Sequence, residues 1–175
     1  MRLLLAAAFG LFVTPAFAFQ LTSPDVKDGA SFDLKFVCGD QGGQGVSPAL
    51  EWTDVPAAAK SLAVTIHDPD APLEGGFWHW LTVDIPPTAT GLDQGAGSGG
   101  TLPAGAVALP NGTKKPGYIG PCPPAGAAHH YNITVWALPD AQAAVTADMA
   151  PGDVGAWLEK TALDKATITP VFAKP

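Results

Sequence analysis

Hydrophobic and polar residues alternate along several short stretches of the chain, and this period of two is typical of β-strands. Residues 61–68 (SLAVTIHD) and 77–85 (FWHWLTVDI) are rich in β-branched and aromatic side chains and lie next to Gly or Pro. Three further segments have the same character. The pattern therefore predicts strands over residues 31–38, 61–68, 77–85, 130–138 and 167–172, the last at a sheet edge because it contains Pro170.

One late segment has helical spacing instead. The spacing i, i+3, i+4 and i+8 is shared by the apolar residues Val154, Trp157, Leu158 and Ala162. This spacing predicts an amphipathic helix over residues 153–165, with Asp153 as its N-cap. The loops are rich in the chain's 20 Gly and 18 Pro. Short strands, long loops and one late helix predict an all-β protein, a two-sheet antiparallel β-sandwich with a peripheral C-terminal helix.

The N-terminal residues have the features of an export signal. Arg2 supplies a positive charge, residues 3–13 form an apolar run, and residues 16–18 (AFA) match an A-x-A cleavage site. The run is shorter than the ~20 apolar residues that span a bilayer, and no later stretch is long enough. We predict a cleaved secretory signal peptide over residues 1–18, a single domain over residues 19–175, and a periplasmic or secreted product.

Acidic residues outnumber basic ones, with 16 Asp and Glu against 9 Lys and Arg and a formal net charge of −7. Nucleic-acid binding requires a basic surface that neutralises phosphates, so this partner class is excluded. The 47% hydrophobic content indicates a folded core rather than a disordered chain. The candidate partners that remain are small molecules and other proteins.

Two cysteines, Cys38 and Cys122, permit two interpretations. In an oxidising compartment a lone pair of cysteines is more often a disulfide than two free thiols. The alternative is a nucleophilic thiol at Cys122, but Pro123 and Pro124 exclude a helix N-terminus that would lower its pKa. The disulfide is the favoured interpretation.

Three polar residues fall in the inward phase of the predicted strands, each near a strand end. Asp68 continues the apolar face of residues 61–68, and His129 precedes that of residues 130–138 in phase. Residues 77–85 are expected to share one inward face formed by Phe77, His79, Leu81, Val83 and Ile85. Burying one polar group without a partner costs a few kcal/mol, so we expect these three polar residues to converge where the sandwich opens.

Two of the three residues also have a purely structural interpretation. An inward histidine beside Trp78 and Trp80 is often a hydrogen-bonded core residue, and Asp68 can organise a turn in the segment 68–72 (DPDAP). The shared phase of three residues at three strand ends favours a site. His67 and His130 point outward in this phasing and are expected to be solvated.

Four motifs that contain these positions carry a family resemblance. They are SPALEW (47–52), DPDAP (68–72), HW (79–80) and GPCPP (120–124) followed by HHY (129–131). The chain from about Thr22 to Phe172 resembles the phosphatidylethanolamine-binding protein family, in particular its bacterial branch labelled Raf kinase inhibitor-like. The resemblance implies an antiparallel sandwich with a small pocket for phosphate-like anions.

By position, the resemblance also implies which residues form the pocket. It places Asp68, His79 and His129 in the pocket, lined by Asp70, Pro72, Pro123, Pro124 and Tyr131. Three features depart from the family. The C-terminal segment lacks the Tyr that closes the pocket in animal members and has only Phe172 nearby, so a phospholipid preference does not transfer. His130 stands where the family usually has a supporting Arg, and the Gly-rich loop 91–116 matches poorly.

The preferred functional hypothesis is binding of a small phosphate- or carboxylate-bearing ligand. A carboxylate beside two imidazoles favours their protonated forms, which would donate N–H groups to an anion. One alternative is an interaction protein, such as a protease inhibitor, that uses the pocket rim. The other is an enzyme, because one carboxylate and two histidines form the ligand set of some iron sites and can act in acid–base hydrolysis. The compact H-x-D spacing is absent, and we predict no catalysis, no cofactor and no metal ligand.

Overall fold

The computed structural model describes residues 18–174, which form mainly β-structure with one α-helix, α1 (Pro151–Thr161). The strands are β1 (Gln20–Thr22), β2 (Leu50–Thr53), β3 (Ser61–Asp68), β4 (Phe77–Ile85), β5 (Gly91–Leu92), β6 (Val107–Ala108), β7 (His129–His130), β8 (Asn132–Leu138), β9 (Asp164–Ile168) and β10 (Val171–Phe172). The strands predicted over residues 61–68 and 77–85 are confirmed with the same bounds.

The named strands form three sheets in which every pair is antiparallel. A five-stranded sheet has the order β6-β4-β3-β8-β9, a three-stranded sheet has the order β1-β2-β5, and β7 pairs with β10. The five- and three-stranded sheets pack face to face, as predicted for a sandwich. The small third sheet was not predicted.

Both faces of the five-stranded sheet are covered by apolar side chains. The inner cluster joins Ile66 and Ile133 of this sheet to Trp52 of the three-stranded sheet. The outer cluster lies beneath α1 and includes Trp136 and Leu158. Because neither face is open, β3 is buried at every position from Ser61 to Ile66.

The helix begins and ends earlier than the predicted range of 153–165. Pro151 opens it, since proline has no N–H to lose in a first turn, and Asp153 lies within that turn rather than at the N-cap position, which is occupied by Ala150. The predicted apolar stripe is nevertheless present, because Val154 and Leu158 are buried against the sheet.

The strand predicted over residues 31–38 is wrong. A 3-10 turn occupies Leu34–Phe36, and the carboxylate of Asp33 accepts a hydrogen bond from the backbone N–H of Lys35. This local bond offers the backbone an alternative to a sheet ladder. Leu34 is 49% exposed, whereas Phe32 and Phe36, which a strand would place on the same side, are buried.

Each of the two strands predicted in the C-terminal part of the chain corresponds to two shorter strands in the structure. The segment 130–138 divides at Tyr131 into β7 and β8, which belong to different sheets. The segment 167–172 divides at Pro170 into β9, at the edge of the large sheet, and β10. Proline cannot donate to a ladder, but its carbonyl accepts from the N–H of Tyr131.

The predicted inward face of β4 is wrong at its centre. Leu81 and Val83 belong to the outer cluster under α1, whereas Ile85 belongs to the inner cluster. The pair Leu62–Ile85 is followed by the pair Val64–Thr82, so two residues of β4 lie opposite one residue of β3. Asp84, one of these two residues, has a φ of 57°. This β-bulge inverts the face that β4 presents.

The predicted signal peptide, residues 1–18, lies outside the described residues except for Ala18. In the described part of the chain, no helix combines the length and hydrophobicity that a membrane crossing requires.

Candidate functional site

The structure brings Asp68, His79 and His129 together although they come from three different strands. The Asp68 Oδ2 atom lies 2.8 Å from His129 Nδ1 and 4.0 Å from His79 Nε2. All three side chains are buried, at 3%, 4% and 8% exposure respectively. We call these three residues the polar cluster.

A second β-bulge turns His79 into the interior. Trp80 and Trp78 of β4 pair with the consecutive residues Ile66 and His67 of β3. His79, which lies between the two tryptophans, therefore has no partner in β3 and is an extra residue of β4. Trp80 belongs to the inner cluster, so strict alternation would place its neighbour His79 on the outer face of the sheet. The prediction that His79 points inward is right, but the cause is the bulge, which re-aims a side chain, rather than uninterrupted alternation.

Asp68 organises both the turn that follows β3 and the polar cluster. Its Oδ1 atom accepts hydrogen bonds from the backbone N–H groups of Asp70 (2.9 Å) and Ala71 (3.0 Å). Its Oδ2 atom accepts from Nδ1 of His129. Asp68 therefore organises the turn and also contacts His129, because one carboxylate oxygen serves each role.

The hydrogen bonds of His79 define its tautomer. Its Nδ1 lies 2.9 Å from the carbonyl oxygen of Ile119, and because a carbonyl only accepts, Nδ1 carries the proton. Burial lowers the pKa of His79 to about 4, and the Ile119 carbonyl and the Asp68 carboxylate offset only part of this effect. The expectation that both imidazoles are protonated is therefore wrong for His79, which is neutral at neutral pH.

The polar cluster lies in the wall of a cavity of about 280 Å³. Six residues named from the sequence line it, namely Asp68, Pro72, His79, Pro123, Pro124 and His129. Six more that the sequence analysis did not assign also line it, namely Ala71, Leu73, Phe77, Ile119, Gly120 and Cys122. Ala71, Gly120 and Cys122 lie inside the quoted motifs, and Leu73 and Ile119 are next to one, so position in or beside a motif was the signal that could have found them. We call Pro72, Leu73 and Pro124, which are exposed, the apolar rim.

Two residues that the resemblance assigned to the lining do not form the cavity wall. Asp70 is exposed and turns outward, where its carboxylate accepts from the backbone N–H and from Nδ1 of His130, both at 2.7 Å. These bonds lower the pKa of Asp70. Tyr131 is fully buried and lies behind the wall, with its ring 5.2 Å from that of His79. Burial and the charge of Asp68 raise the pKa of Tyr131.

The outward histidines are not simply solvated. His130 forms the pair with Asp70, and His67 is half-buried, with its ring stacked on Trp78 at 4.3 Å. The Nε2 atom of His67 also lies 2.8 Å from the carbonyl oxygen of Gly75. Neither residue lines the cavity.

A disulfide between Cys38 and Cys122 anchors the loop that closes the cavity. The two residues are 84 positions apart in the sequence and 5.6 Å apart between Cα atoms. The backbone N–H of Cys38 also donates to the carbonyl of Pro121. Gly120 packs so closely that a Cβ atom there would lie 2.5 Å from the carbonyl oxygen of Phe36. Only glycine permits this approach of the two backbones.

Metal binding has no support in the geometry of the described residues. Between residues 18 and 174, no group of three His, Cys, Asp or Glu side chains is arranged to hold a metal ion. In the polar cluster, Nδ1 of His79 and Nδ1 of His129 already serve as hydrogen-bond donors.

The fold and the site together define a β-sandwich protein with a small His- and Asp-containing pocket. Residues 22–173 match the family model described as phosphatidylethanolamine-binding protein. The chain therefore belongs to the phosphatidylethanolamine-binding protein family.

Individual relatives cover most of the chain. UPF0098 protein YbcL of Escherichia coli K12 is 42% identical over 170 residues, which are 94% of this chain and 93% of YbcL. The putative lipoprotein LppC of Mycobacterium tuberculosis H37Rv is 38% identical over 146 residues, 81% of this chain and 65% of LppC. The crystal structure of E. coli YbcL, described as a new member of the mammalian PEBP family, has a TM-score of 0.84 and 41% identity, covering 90% of this chain and 99% of YbcL.

Proposed function

We propose that the protein binds a small ligand in this cavity, with a phosphate or carboxylate group of the ligand against the polar cluster. The observation that carries the proposal is that two buried imidazoles and a buried carboxylate meet in a cavity whose other lining side chains are apolar. Small-molecule sites typically combine apolar walls with a few convergent polar groups.

The chemistry of the wall suits an amphiphilic phosphate compound. Imidazole nitrogens of His79 and His129 are available to the acidic group, and Asp68 would attract an ammonium group such as that of ethanolamine. The apolar rim would contact the remainder of the ligand. Family membership supports this assignment.

Binding without catalysis is part of the same proposal. Among residues 18–174, the side chains that line the cavity include no Ser or Thr, and the sulfur of Cys122 is held in the disulfide. A covalent mechanism would need such a nucleophile beside a base.

We also propose that the protein is exported and acts in the periplasm or outside the cell. The disulfide and the lipoprotein relative favour a location in the cell envelope. An N-terminus at Phe19, found by mass spectrometry of the mature protein, would support cleavage of residues 1–18, and an intact N-terminus in the cytoplasmic fraction would contradict it.

A second candidate is an inhibitor of a protease or another protein that docks on the rim. It is favoured by Leu73, which is 58% exposed beside the cavity. A variant that no longer binds ligand but still inhibits a partner would support this candidate over the first.

Titration calorimetry with O-phosphoethanolamine tests the proposed function, and two adjacent histidines provide matched variants. His129 lines the cavity, whereas His130 is exposed and lies outside it. His129→Asn should weaken binding at least tenfold, because a hydrogen bond to a charged group contributes about 1.5–3 kcal/mol. His130→Asn should leave the affinity within about twofold. No heat of binding by the wild type, or an equal loss in both variants, would contradict the proposal.

A further inference from the structure

The outer face of the five-stranded sheet is only partly covered by α1. Val154 and Leu158 of the helix pack on the apolar part of this face, which includes Ala63 and Leu81. The rest of the face carries polar and aromatic side chains that surround a second cavity of about 250 Å³. We call this cavity the outer groove and define it by Thr65, His67, Trp78, Asn132, Thr134 and Thr167. In the described part of the chain, it shares no lining residue with the cavity of the polar cluster.

Strand register builds the floor of the outer groove. Thr65 pairs with Thr134, and Thr134 pairs with Thr167, so three threonines form one row across β3, β8 and β9. Thr65 and Thr134 are buried, and the hydroxyl oxygens of Thr134 and Thr167 lie 2.9 Å apart. Because residues paired across antiparallel strands share a face, the row places three hydroxyl groups side by side.

A second row of paired residues supplies an aromatic wall and an amide. His67 pairs with Trp78 on one side and with Asn132 on the other. The stacked rings of His67 and Trp78 form a flat wall of the groove. The Oδ1 atom of Asn132 accepts a hydrogen bond from the hydroxyl of Thr169 at 3.1 Å, which leaves the Nδ2 amide group available.

Several polar groups of the outer groove have hydrogen-bonding capacity that the protein does not use. Thr65 Oγ1 accepts from the indole N–H of Trp136 at 2.9 Å, so the hydroxyl hydrogen of Thr65 needs another acceptor. Among the described residues, this hydrogen, the Asn132 amide N–H₂ and the Trp78 indole N–H have no acceptor. Because Nε2 of His67 donates to a backbone carbonyl, Nδ1 of the neutral ring is an acceptor. Buried polar groups are normally paired, so the groove suits an occupant with several hydrogen-bonding groups.

The acidic and basic side chains of the outer groove compensate each other. Where the structure describes the chain, the groove is lined by one carboxylate, Glu159, and one ammonium group, Lys165, and Lys165 Nζ lies 2.6 Å from both Glu159 carboxylate oxygens. Lys165 Nζ also lies 4.9 Å from the centre of the Trp136 ring. An ionic ligand would have to disrupt this pair, whereas a neutral ligand would not.

We propose that the outer groove is a second ligand site, which binds a neutral sugar ring. Sugar hydroxyl groups both donate and accept hydrogen bonds, which matches the donors at Thr65 and Asn132 and the acceptor at His67. The C–H face of a pyranose is apolar and packs on the stacked rings of His67 and Trp78. The volume of about 250 Å³ suits one ring rather than a long chain.

Titration of the wild-type protein with the methyl glycosides of glucose, galactose, mannose and N-acetylglucosamine tests this site. Saturation-transfer NMR detects weak binding, and the fluorescence of Trp78 and Trp136, which line the groove, reports binding there. At least one glycoside should bind with a dissociation constant on the order of 1–10 mM, as expected for a small ligand in an open groove. No binding by any of these glycosides at about 100 mM would overturn the site.

Two variants and a matched control locate the binding. Asn132→Ala removes an amide from the groove, and Trp78→Phe removes an N–H group while keeping an aromatic ring. Each variant should weaken glycoside binding at least threefold. Gln20→Ala removes an exposed amide from β1 of the three-stranded sheet and should leave the affinity within about twofold. Unchanged affinity in the folded Asn132→Ala and Trp78→Phe proteins, or an equal loss in Gln20→Ala, would overturn the assignment to the outer groove.

Reciprocal variants distinguish the two cavities. His129→Asn, which changes the polar cluster, should retain glycoside binding, and Asn132→Ala should retain binding of O-phosphoethanolamine. Loss of glycoside binding in His129→Asn would place the sugar against the polar cluster and overturn the outer groove as its site. Glycoside binding without any O-phosphoethanolamine binding would support the outer groove and contradict only the proposed function.

Discussion

His79 illustrates how one residue acquires its properties from three features of its surroundings. The bulge in β4 turns it inward, the carbonyl of Ile119 holds its proton on Nδ1, and burial keeps its ring neutral. His130 is also a histidine, but it is exposed and pairs with Asp70. Residue type alone therefore does not predict protonation at this site, because desolvation and hydrogen bonding set it.

The lowered pKa of His79 predicts a pH dependence of stability. The ring titrates at about 4 in the folded protein, compared with 6.5 for an unperturbed histidine. Between these values the unfolded state binds more protons, so stability is complete above about pH 6.5 and falls as the pH decreases toward 4. The loss from this residue is at most about 3–4 kcal/mol.

Urea unfolding of the wild type and His79→Gln at about pH 7 and about pH 4.5 measures this contribution. The decrease in the free energy of unfolding between the two values should be smaller in the variant, because the buried imidazole is absent. An identical decrease in the two proteins would show that His79 is not the group responsible.

At the scale of elements, the contact between α1 and the five-stranded sheet depends on one glycine of the helix. A Cβ atom at Gly155 would lie 2.2 Å from the ring of Trp78, whereas a Cβ atom at Gly152 would have no atom within 4 Å. Both glycines belong to α1. The helix can approach the sheet this closely only where a side chain is missing.

Alanine substitution at these two positions separates packing from helix propensity. Gly155→Ala should destabilise the protein by about 1–3 kcal/mol through overpacking, although alanine favours helix by up to about 1 kcal/mol. Gly152→Ala should be neutral or stabilising by up to about 1 kcal/mol. Thermal or urea unfolding provides the measurement, and a stabilising Gly155→Ala would contradict the close approach.

At the scale of the whole molecule, a long-range covalent link joins the N-terminal part of the described chain to the loop that closes the cavity. Cys38 and Cys122 are 84 positions apart, so the disulfide restricts about half of the chain in the unfolded state. Further contacts join the same two regions, including the hydrogen bond from the Tyr118 hydroxyl to the carbonyl of Phe36.

Removing the disulfide is therefore expected to destabilise the whole fold. For a loop of this length, the chain-entropy model gives roughly 4–5 kcal/mol, as an upper value for Cys38→Ala combined with Cys122→Ala. The free energy of urea unfolding should fall by several kcal/mol relative to the oxidised protein. A loss below about 1 kcal/mol would mean that the surrounding hydrogen bonds alone hold the loop.

The sequence was informative where local chemistry decides structure. β-branched and aromatic runs predicted β3 and β4 with the observed bounds, and two lone cysteines in a chain with a predicted export signal favoured the observed disulfide. The sequence was less informative where two local preferences compete. In residues 31–38 the alternation predicted a strand, but the Asp33 side chain stabilises a 3-10 turn there instead.

By itself, the sequence determined the β-rich class, the helix with its apolar stripe, and the expectation that Asp68, His79 and His129 meet, because these follow from residue type and spacing. Only the tertiary structure decided which face each residue of β4 presents, since a bulge depends on register with a neighbouring strand. It also decided that Asp70 and Tyr131 lie outside the cavity wall and that His79 is neutral. Burial and distance are properties of the assembled chain, and no local pattern specifies them.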